Sequence, residues 1–288
     1  MSIISIKDLL FRYNDNYIFD KFNLEIERGS YTSIVGTIGA GKTTLSKILL
    51  GLIRTNSNIT IDGINLCKEN IRDIRKKIGV VFENPENGFV CETVMDEIAF
   101  SLENLELDHD EIDRRVKEIS EYLDITHLLN RDPHRLSGGE KQVVAFASVL
   151  VIEPEILIFD EAFTMLDYKY KEKIYKVLDN CNKENNTTII NVTHDLEDTI
   201  YGKDIIVMDK GKIIIKGSKE DVLREEQIFN KIGLDLPFIV ELSIKLNYYG
   251  LLDKICFSNS ELVQSIWKKN LKMCHMYIII KHHLEKLI

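Results

Sequence analysis

Short runs of apolar, β-branched residues recur along the chain between turn signals, a pattern typical of β-strands. One such run, Tyr31 to Val35, ends in a glycine-rich loop, and Thr43 to Ile53 then place apolar residues at helical spacing. Further strands are predicted at Ile3–Leu9, Phe22–Ile26, Ile59–Leu66, Ile78–Phe82, Ile156–Phe159, Thr188–Val192, Ile205–Met208 and Lys212–Ile215. The pattern predicts an α/β fold with a mostly parallel core sheet.

Three further parts are predicted around that core. A turn at Asn14–Asn16 joins the first two strands, which indicates an antiparallel β subdomain. Charged and apolar residues alternate at helical spacing from Thr93 to Leu129, so a helical subdomain is expected at about 84–150. From Gly233 onward short helices are expected, with Pro237 at a helix start. We therefore divide the chain into a domain at 1–225 and a C-terminal helical module at 226–288.

Composition narrows the function classes. The net charge of −9 makes the chain a poor non-specific ligand for nucleic acid. No apolar run reaches the roughly 20 residues of a membrane span, and the N-terminus has no signal-peptide form. The five cysteines include no CxxC pair and favour reduced thiols. We expect a cytosolic protein that reaches a membrane only through a partner.

The loop after Tyr31–Val35 has the chemistry of a phosphate site. Its sequence matches G-x-x-x-x-G-K-[ST] after a predicted strand and at the start of a predicted helix. In this setting the backbone N–H groups and the helix N-terminus bind ATP phosphates, Lys42 reaches the β- and γ-phosphates, and Thr43 binds Mg²⁺. The predicted nucleotide-binding residues of this loop are Gly36, Thr37, Ile38, Gly39, Ala40, Gly41, Lys42, Thr43 and Thr44.

Two other strand ends add catalytic candidates. The apolar strand at Ile156–Phe159 delivers Asp160 and Glu161. Asp160 suits the Mg²⁺ shell, and Glu161 can polarise the attacking water as general base. His194 follows the strand Thr188–Val192 and could hydrogen-bond the γ-phosphate and that water.

The segment Leu136-Ser-Gly-Gly-Glu140 resembles the signature motif of ABC ATPases, upstream of Asp160 at the spacing of that family. Ser137, Gly138, Gly139 and Glu140 begin a helix and can hold a second phosphate. The resemblance implies that this loop caps ATP bound by another subunit, so that two ATPase subunits pair. It also implies that Tyr13 stacks on adenine and that Asp167 lies in the D-loop, the segment that contacts the opposite subunit.

A narrower resemblance concerns the energy-coupling factor (ECF) ATPases. It rests on Val81–Val90, on Asp96–Phe100, and on the segment from Ile232 through Glu241. It implies a subunit that hydrolyses ATP to energise an importer of vitamins or metal ions. The implied partners are a transmembrane coupling protein and a substrate-binding membrane protein, and the implied location is peripheral, at the cytoplasmic face of the cell membrane. The C-terminal module would then support pairing.

Four positions depart from the usual motifs of the ABC ATPases. Glu83 stands where the Q-loop glutamine is usual and remains a candidate Mg²⁺ ligand. Val143 replaces the usual arginine after the signature, and Ala162 and Phe163 replace the usual start of the D-loop. Because Lys42, Asp160, Glu161 and His194 are intact, we expect a working ATPase.

Three alternatives stay open. The first is an ABC ATPase of another transporter class. The second is an ABC ATPase acting on DNA or ribosomes, although the helical insertion is too short for a coiled coil and the chain has one P-loop. The third is a nucleotide-binding scaffold without catalysis. The sequence also leaves open the cargo and whether the paired ATPase is a second copy or a paralogue.

Overall fold

The structure, a computed structural model, describes residues 1–103, 105 and 107–269. The chain divides into two compact units, Met1–Gly217 and Ser218–Ile288. The sequence predicts this division at 225, from a change of composition near Arg224. The structure begins the second unit at Ser218, the last residue of the last strand. Residues 270–288 of the predicted C-terminal module lie outside the described residues.

A six-stranded sheet forms the centre of the first unit, in the order β10-β9-β3-β8-β7-β6. Four neighbouring pairs, β9/β3, β3/β8, β8/β7 and β7/β6, are parallel. A two-residue turn at Lys210–Gly211 joins β9 to β10, and so short a connection requires antiparallel pairing. The strands are β3 (Tyr31–Gly36), β6 (Ile78–Phe82), β7 (Ile156–Asp160), β8 (Thr188–Thr193), β9 (Asp204–Asp209) and β10 (Lys212–Ser218).

A second sheet is entirely antiparallel and has the order β2-β1-β4-β5. Its strands are β1 (Ser2–Tyr13), β2 (Asn16–Glu27), β4 (Asn58–Ile61) and β5 (Ile64–Asn65). Asp62 and Gly63 form the predicted hairpin turn, both with positive φ, at 51° and 74°. Both sheets confirm the predicted α/β class with its antiparallel β subdomain.

The helices of the first unit are α1 (Lys42–Leu49), α2 (Ile71–Lys77), α3 (Val94–Glu103), α4 (His109–Leu123), α5 (Gly138–Leu150) and α6 (Tyr168–Glu184). Helix α1 ends earlier than predicted, since Gly51 adopts a left-handed φ of 63°. The long helical stretch predicted between Thr93 and Leu129 is divided, and Asp108 caps the second helix by accepting from the Glu111 amide.

Two hydrophobic clusters fill the first unit. One joins the antiparallel sheet and α1 to one face of the core sheet, through buried residues such as Leu45, Ile158 and Ile190. The other joins α3, α4, α5 and α6 to the opposite face, through residues such as Val144, Phe159 and Leu178. Buried area of this kind is the main stabilising contribution to a domain of this size. The core sheet is therefore covered on both faces, as parallel sheets usually are.

The described part of the second unit is helical. It contains α7 (Lys219–Leu223), α8 (Glu226–Ile232) and α9 (Phe238–Tyr248), and residues 259–269 are also helical. Pro237 caps α9, as the sequence predicts, and α8 lies within the predicted helical module, whereas α7 precedes that module and is not predicted. Within the described residues, no helix is long and apolar enough to cross a bilayer.

Candidate active site

The parallel register brings four strand ends to one edge of the core sheet. Phe82 of β6 pairs with Asp160 of β7, and Asp160 pairs with Val192 of β8. Thr193 of β8 in turn pairs with Val35 of β3. Carboxyl ends of parallel strands are where ligand sites gather in α/β folds. The predicted phosphate loop, the pair Asp160–Glu161 and His194 therefore meet at the same edge.

Two glycines of the loop cannot be replaced without strain. A Cβ on Gly36 would lie 2.2 Å from the carbonyl oxygen of Met208. Gly41 caps α1 with φ 99°, a conformation that side chains rarely adopt. These constraints turn the chain sharply from β3 into α1. The helix N-terminus and the loop amides consequently face the same side as the other strand ends.

Lys42 is a nearly buried cation held by the loop itself. Its Nζ donates to the carbonyls of Gly36 at 2.6 Å and Thr37 at 3.2 Å. Nζ also lies 3.6 Å from Oε1 of Glu161. Burial lowers the pKa of Lys42, and the charge of Glu161 opposes that effect. The lysine is thus positioned as a desolvated positive charge beside the loop.

Asp160 and Thr43 provide adjacent oxygen atoms. The Thr43 hydroxyl lies 3.4 Å from Oδ1 of Asp160, a long contact at the outer limit of a hydrogen bond. Asp160 is 3% exposed, and its burial, with the charge of Glu161 as second cause, raises its pKa to about 6. A hydroxyl beside a carboxylate is a donor set that suits Mg²⁺. Among the described residues, no group of three or more His, Cys, Asp or Glu is arranged to hold a metal ion.

Glu161 is fixed between two basic side chains. Its φ is +56°, and its amide donates to the Val192 carbonyl at 2.8 Å. Its Oε2 lies 2.7 Å from Nδ1 of His194 and also accepts from the His194 amide at 3.2 Å. This left-handed backbone is uncommon for a glutamate and is held by the neighbouring strand. Glu161 and His194 therefore act as one hydrogen-bonded pair.

A cavity of about 560 Å³ opens beside these residues. Thr43, Asp160 and Glu161 line it from the phosphate side, and Glu83, Glu97 and Lys47 line it elsewhere. Glu83 follows β6 directly and is exposed. The structure thus places Glu83 in the same cavity as the other two predicted metal ligands.

The signature residues lie apart from the phosphate loop. Ser137 caps α5, its hydroxyl accepting from the Glu140 amide, and Glu140 accepts in return from the Ser137 amide. Hydrogen bonds from Ser137 lower the pKa of Glu140. Gly138 and Gly139 pack against Met165. Among the described residues, no hydrogen bond or ion pair joins Ser137–Glu140 to the phosphate loop.

The remaining predicted residues are distributed around the site. In the loop, Ala40 is buried, Thr37 and Thr44 are half-buried, and Ile38 and Gly39 are exposed. Tyr13 ends β1, is about half exposed and packs edge-on against Phe11. Asp167 caps α6 by accepting from the Tyr170 amide at 2.9 Å. Neither Tyr13 nor Asp167 lines the cavity.

Sequence reasoning missed three residues near the site. Lys47 lies one turn beyond Thr43 on α1, and helical spacing could have indicated its position. Glu97 accepts from the amides of Val90 and Cys91, both at 2.9 Å. Gln142 is fully buried and donates to the Phe82 carbonyl at 2.9 Å, which links α5 to the residue before Glu83. Neither of the last two carries a local sequence signal.

Comparison with known proteins agrees with this geometry. The sequence profile of the ABC transporter family matches residues 19–164. The energy-coupling factor transporter ATP-binding protein EcfA1 of Mycoplasmopsis synoviae is 41% identical over 249 residues, 85% of this chain and 94% of that protein. The chain belongs to the ABC transporter ATP-binding family. EcfA1 of Mesomycoplasma hyopneumoniae (strain J) is 39% identical over 92% of this ABC ATPase and 98% of its own length.

Two solved structures share the fold of this ABC ATPase. One is cbiO1 from Clostridium perfringens, described as part of the ABC transporter complex cbiONQ. It has a TM-score of 0.70 and 34% identity, covering 84% of this chain and 98% of that one. The other is the dimeric ATP-binding cassette MJ0796 in a post-hydrolysis state with ADP and Pi, at TM-score 0.67 and 28% identity, covering 75% of this chain and 98% of that one.

The raised pKa of Asp160 predicts a pH-dependent stability penalty. In the unfolded chain an aspartate has a pKa near 3.8, so the folded protein binds the Asp160 proton more tightly than the unfolded chain does. The stability gained from this proton is fully present below pH 3.8 and is lost as the pH rises through about 6, where Asp160 ionises in the folded protein. Asp160→Asn should therefore stabilise the metal-free, nucleotide-free protein at pH 8 by on the order of 2 kcal/mol, and by roughly half as much at pH 5. Urea unfolding in EDTA at both pH values measures this. Asp113→Asn, at an exposed position of α4, is the control, and an equal gain at the two pH values would contradict the assignment.

Proposed function

We propose that this chain is the ATP-binding and ATP-hydrolysing subunit of an ECF-type ABC importer for vitamins or metal ions. The observation that carries the proposal is the meeting of Lys42, Asp160, Glu161 and His194 at one sheet edge. The relatives named as energy-coupling factor transporter ATP-binding proteins support the transporter class. The ATPase works with Mg²⁺ and in pairs.

The phosphate loop binds the polyphosphate of ATP. Amides of residues 39–44 and the N-terminus of α1 surround the β-phosphate, and Lys42 neutralises the β- and γ-phosphates. Lys42 then exchanges its neighbour Glu161, at 3.6 Å, for phosphate oxygens. Thr43, Asp160 and Glu83 are the side chains that would hold Mg²⁺, which supplies charge neutralisation of the phosphates when bound.

Glu161 accepts a proton from the attacking water. Its Oε2 is oriented by His194 Nδ1 at 2.7 Å, so the carboxylate cannot rotate away from the sheet edge. A general base must stand within hydrogen-bond reach of the proton it removes, and general-base catalysis is worth about 10²- to 10⁴-fold in rate. His194 orients that base and contacts the γ-phosphate.

The signature residues serve a second subunit. The amides of Ser137 and Glu140 are held in the capping box at the start of α5, so the adjacent amides of Gly138 and Gly139 are the ones that would receive a phosphate. In a pair, they would close over the ATP held by the other phosphate loop, with Tyr13 on the adenine and Asp167 near the partner. The C-terminal unit supports this pairing.

Transport itself takes place in partner proteins. A transmembrane coupling protein and a substrate-binding membrane protein would complete the importer, as the resemblance to the ECF ATPases implies. The relative cbiO1 is described as part of the ABC transporter complex cbiONQ, which supports membrane partners for this chain. The ATPase is then peripheral, at the cytoplasmic face of the membrane.

Co-purification from detergent-solubilised membranes tests the proposal. The tagged chain should emerge with a second ATPase subunit and integral membrane proteins, and the complex should hydrolyse ATP. Recovery with ribosomes or DNA, and without membrane proteins, would reject the transport function and favour the rival class.

Glu161→Gln should keep ATP binding and reduce turnover by about 100-fold or more, since it removes the general base without changing its size. Binding is expected to persist because Lys42 and the loop amides are untouched. Steady-state ATPase assays and titration with a fluorescent ATP analogue on the purified complex measure both. Glu172→Gln, at an exposed site on α6, is the matched control. Turnover within twofold of wild type would reject Glu161 as the base.

Glu83→Gln should tighten ATP binding most when metal is absent. The carboxylate shares its cavity with Asp160 and Glu161, so it repels metal-free ATP, and Mg²⁺ offsets that repulsion. We expect affinity for ATP in EDTA to rise about threefold to tenfold, with a smaller change at saturating Mg²⁺. Glu92→Gln, which alters a carboxylate that does not line the cavity, is the control. If Glu83→Gln and wild type bind ATP with equal affinity, both in EDTA and at saturating Mg²⁺, Glu83 does not act on the nucleotide and would serve only in docking a partner protein.

A further inference from the structure

Phe163 occupies a segment that links several functional loops. The segment 161–167 runs from Glu161 at the end of β7 to Asp167 at the start of α6. Four of its seven side chains reach the surface or its margin, whereas Ala162, Phe163 and Leu166 are buried, and Phe163, 1% exposed, is the largest of these three. At this position the chain departs from the usual ABC motif, and so does Val143, which is fully buried in the same hydrophobic cluster. Both departures add apolar side chains beneath the site.

Phe163 stands in the middle of a column of rings, which we call the aromatic column. It consists of Phe146, Phe159, Phe163, Tyr175 and Tyr201. Phe163 lies 5.1 Å from Phe146 and 5.5 Å from Phe159, measured between ring centroids. It stacks on Tyr175 at 4.6 Å with an angle of 11° between ring planes. Tyr175 in turn stacks on Tyr201 at 3.5 Å and 12°.

The two ends of the column reach two different parts of the site. Phe146 lies on α5, about two turns beyond the signature glycines Gly138 and Gly139. Tyr201 ends the 3₁₀ helix Leu196–Tyr201, which begins two residues after His194. The column therefore joins the signature helix to the segment that carries His194, with Phe163 between them.

A hydrogen bond and an ion pair stabilise the end of the aromatic column at Tyr201. The Tyr175 hydroxyl donates to Oδ1 of Asp198 at 2.8 Å, and Lys171 Nζ lies 3.0 Å from the same oxygen. Asp198 is 4% exposed, so this hydrogen-bonded ion pair is shielded from water. The 3₁₀ helix after His194 is thus fixed to α6 by a stacked ring and by a buried charge pair.

The surface side of the same segment touches the signature. A Cβ on Gly138 would lie 3.4 Å from the Met165 sulfur, and one on Gly139 would lie 3.3 Å from the Met165 carbonyl oxygen. Met165 is two residues beyond Phe163. Segment 161–167 is therefore held in the hydrophobic cluster by Phe163 and packs against the signature glycines through Met165.

We infer that Phe163 is a positioning residue for ATP hydrolysis. It sets the relative positions of the signature glycines, of residues 161–167 and of the His194 segment, through the aromatic column. Phe163 does not line the cavity beside the phosphate loop, so its expected contribution is to geometry and not to affinity. The inference rests on the proposed function, since it concerns the rate of the same reaction.

The expected signature separates this role from ordinary core packing. Stacked rings prefer particular distances and angles, whereas an aliphatic side chain fills volume without fixing orientation. Because small misplacements of reacting groups can cost up to about 100-fold in rate, Phe163→Leu should lower kcat about tenfold while KM for ATP stays within about twofold. Amide hydrogen exchange should also quicken in residues 138–145 and 194–202, but not in 31–50.

The experiment uses the purified transporter complex and a matched control. Phe22→Leu removes a comparably buried ring from β2, outside the aromatic column. It should cost similar stability and leave kcat and the exchange of residues 138–145 and 194–202 unchanged. A kcat for Phe163→Leu equal to that of Phe22→Leu, or exchange changes confined to 161–167, would overturn the inference.

A second variant keeps the test open if Phe163→Leu does not fold. Tyr201 is 39% exposed at the end of the column, so Tyr201→Leu should fold. It should lower kcat about threefold with KM unchanged and quicken exchange at 194–202. Unaltered kcat and exchange in this variant would also overturn the inference. A wild-type complex without ATPase activity would instead contradict the proposed function, so the two failures are distinguishable.

Discussion

The site depends on the parallel register of four strands, which ends β3, β8, β7 and β6 at one edge. Each strand delivers one functional segment there, and none of these segments is adjacent to another in sequence. A slip of one residue in β7 would exchange the faces of Phe159 and Asp160. That slip would place the Phe159 ring beside Thr43, where Asp160 now lies, and would place the carboxylate in the apolar cluster that now holds Phe159. Burial of every residue in β7 thus fixes the chemistry as well as the fold.

The same edge concentrates charges that oppose folding. Asp160 and Glu161 stand side by side, and Glu83 shares their cavity, with Lys42 as their nearly buried counter-charge. Burial raises the pKa of Asp160 and lowers that of Lys42, so both groups are less stable in their charged forms than in water. A bound polyphosphate would bring negative charge to Lys42, and its metal ion would bring positive charge to Asp160. The site is therefore most stable when it holds the ligand for which it is arranged.

The sequence predicts those parts of the site that are formed by residues directly after a strand. The phosphate loop, Asp160–Glu161 and His194 each follow an apolar strand directly, and the parallel register brings them to one edge of the sheet. Glu97 and Gln142 reach the site from helices through contacts made only in the folded chain. Strands β1 and β2 exceed their predicted lengths because their polar residues face solvent and interrupt the apolar pattern. Helix α7 was also missed, because it starts directly after β10 without a turn signal.

Polar and apolar contacts hold this site in different ways. Lys42, Glu161 and His194 hold one another by contacts that a nucleotide can replace, so their geometry changes when ligand binds. The aromatic column is closed to solvent at Phe163, and the Tyr175 hydroxyl within it is bonded to Asp198. We therefore expect nucleotide exchange to leave the aromatic column in place while it rearranges the contacts among Lys42, Glu161 and His194. Contacts that persist through nucleotide exchange can hold the signature glycines and the His194 segment at fixed relative positions throughout the ATPase cycle. The polar contacts alone cannot do so, because they change with the ligand.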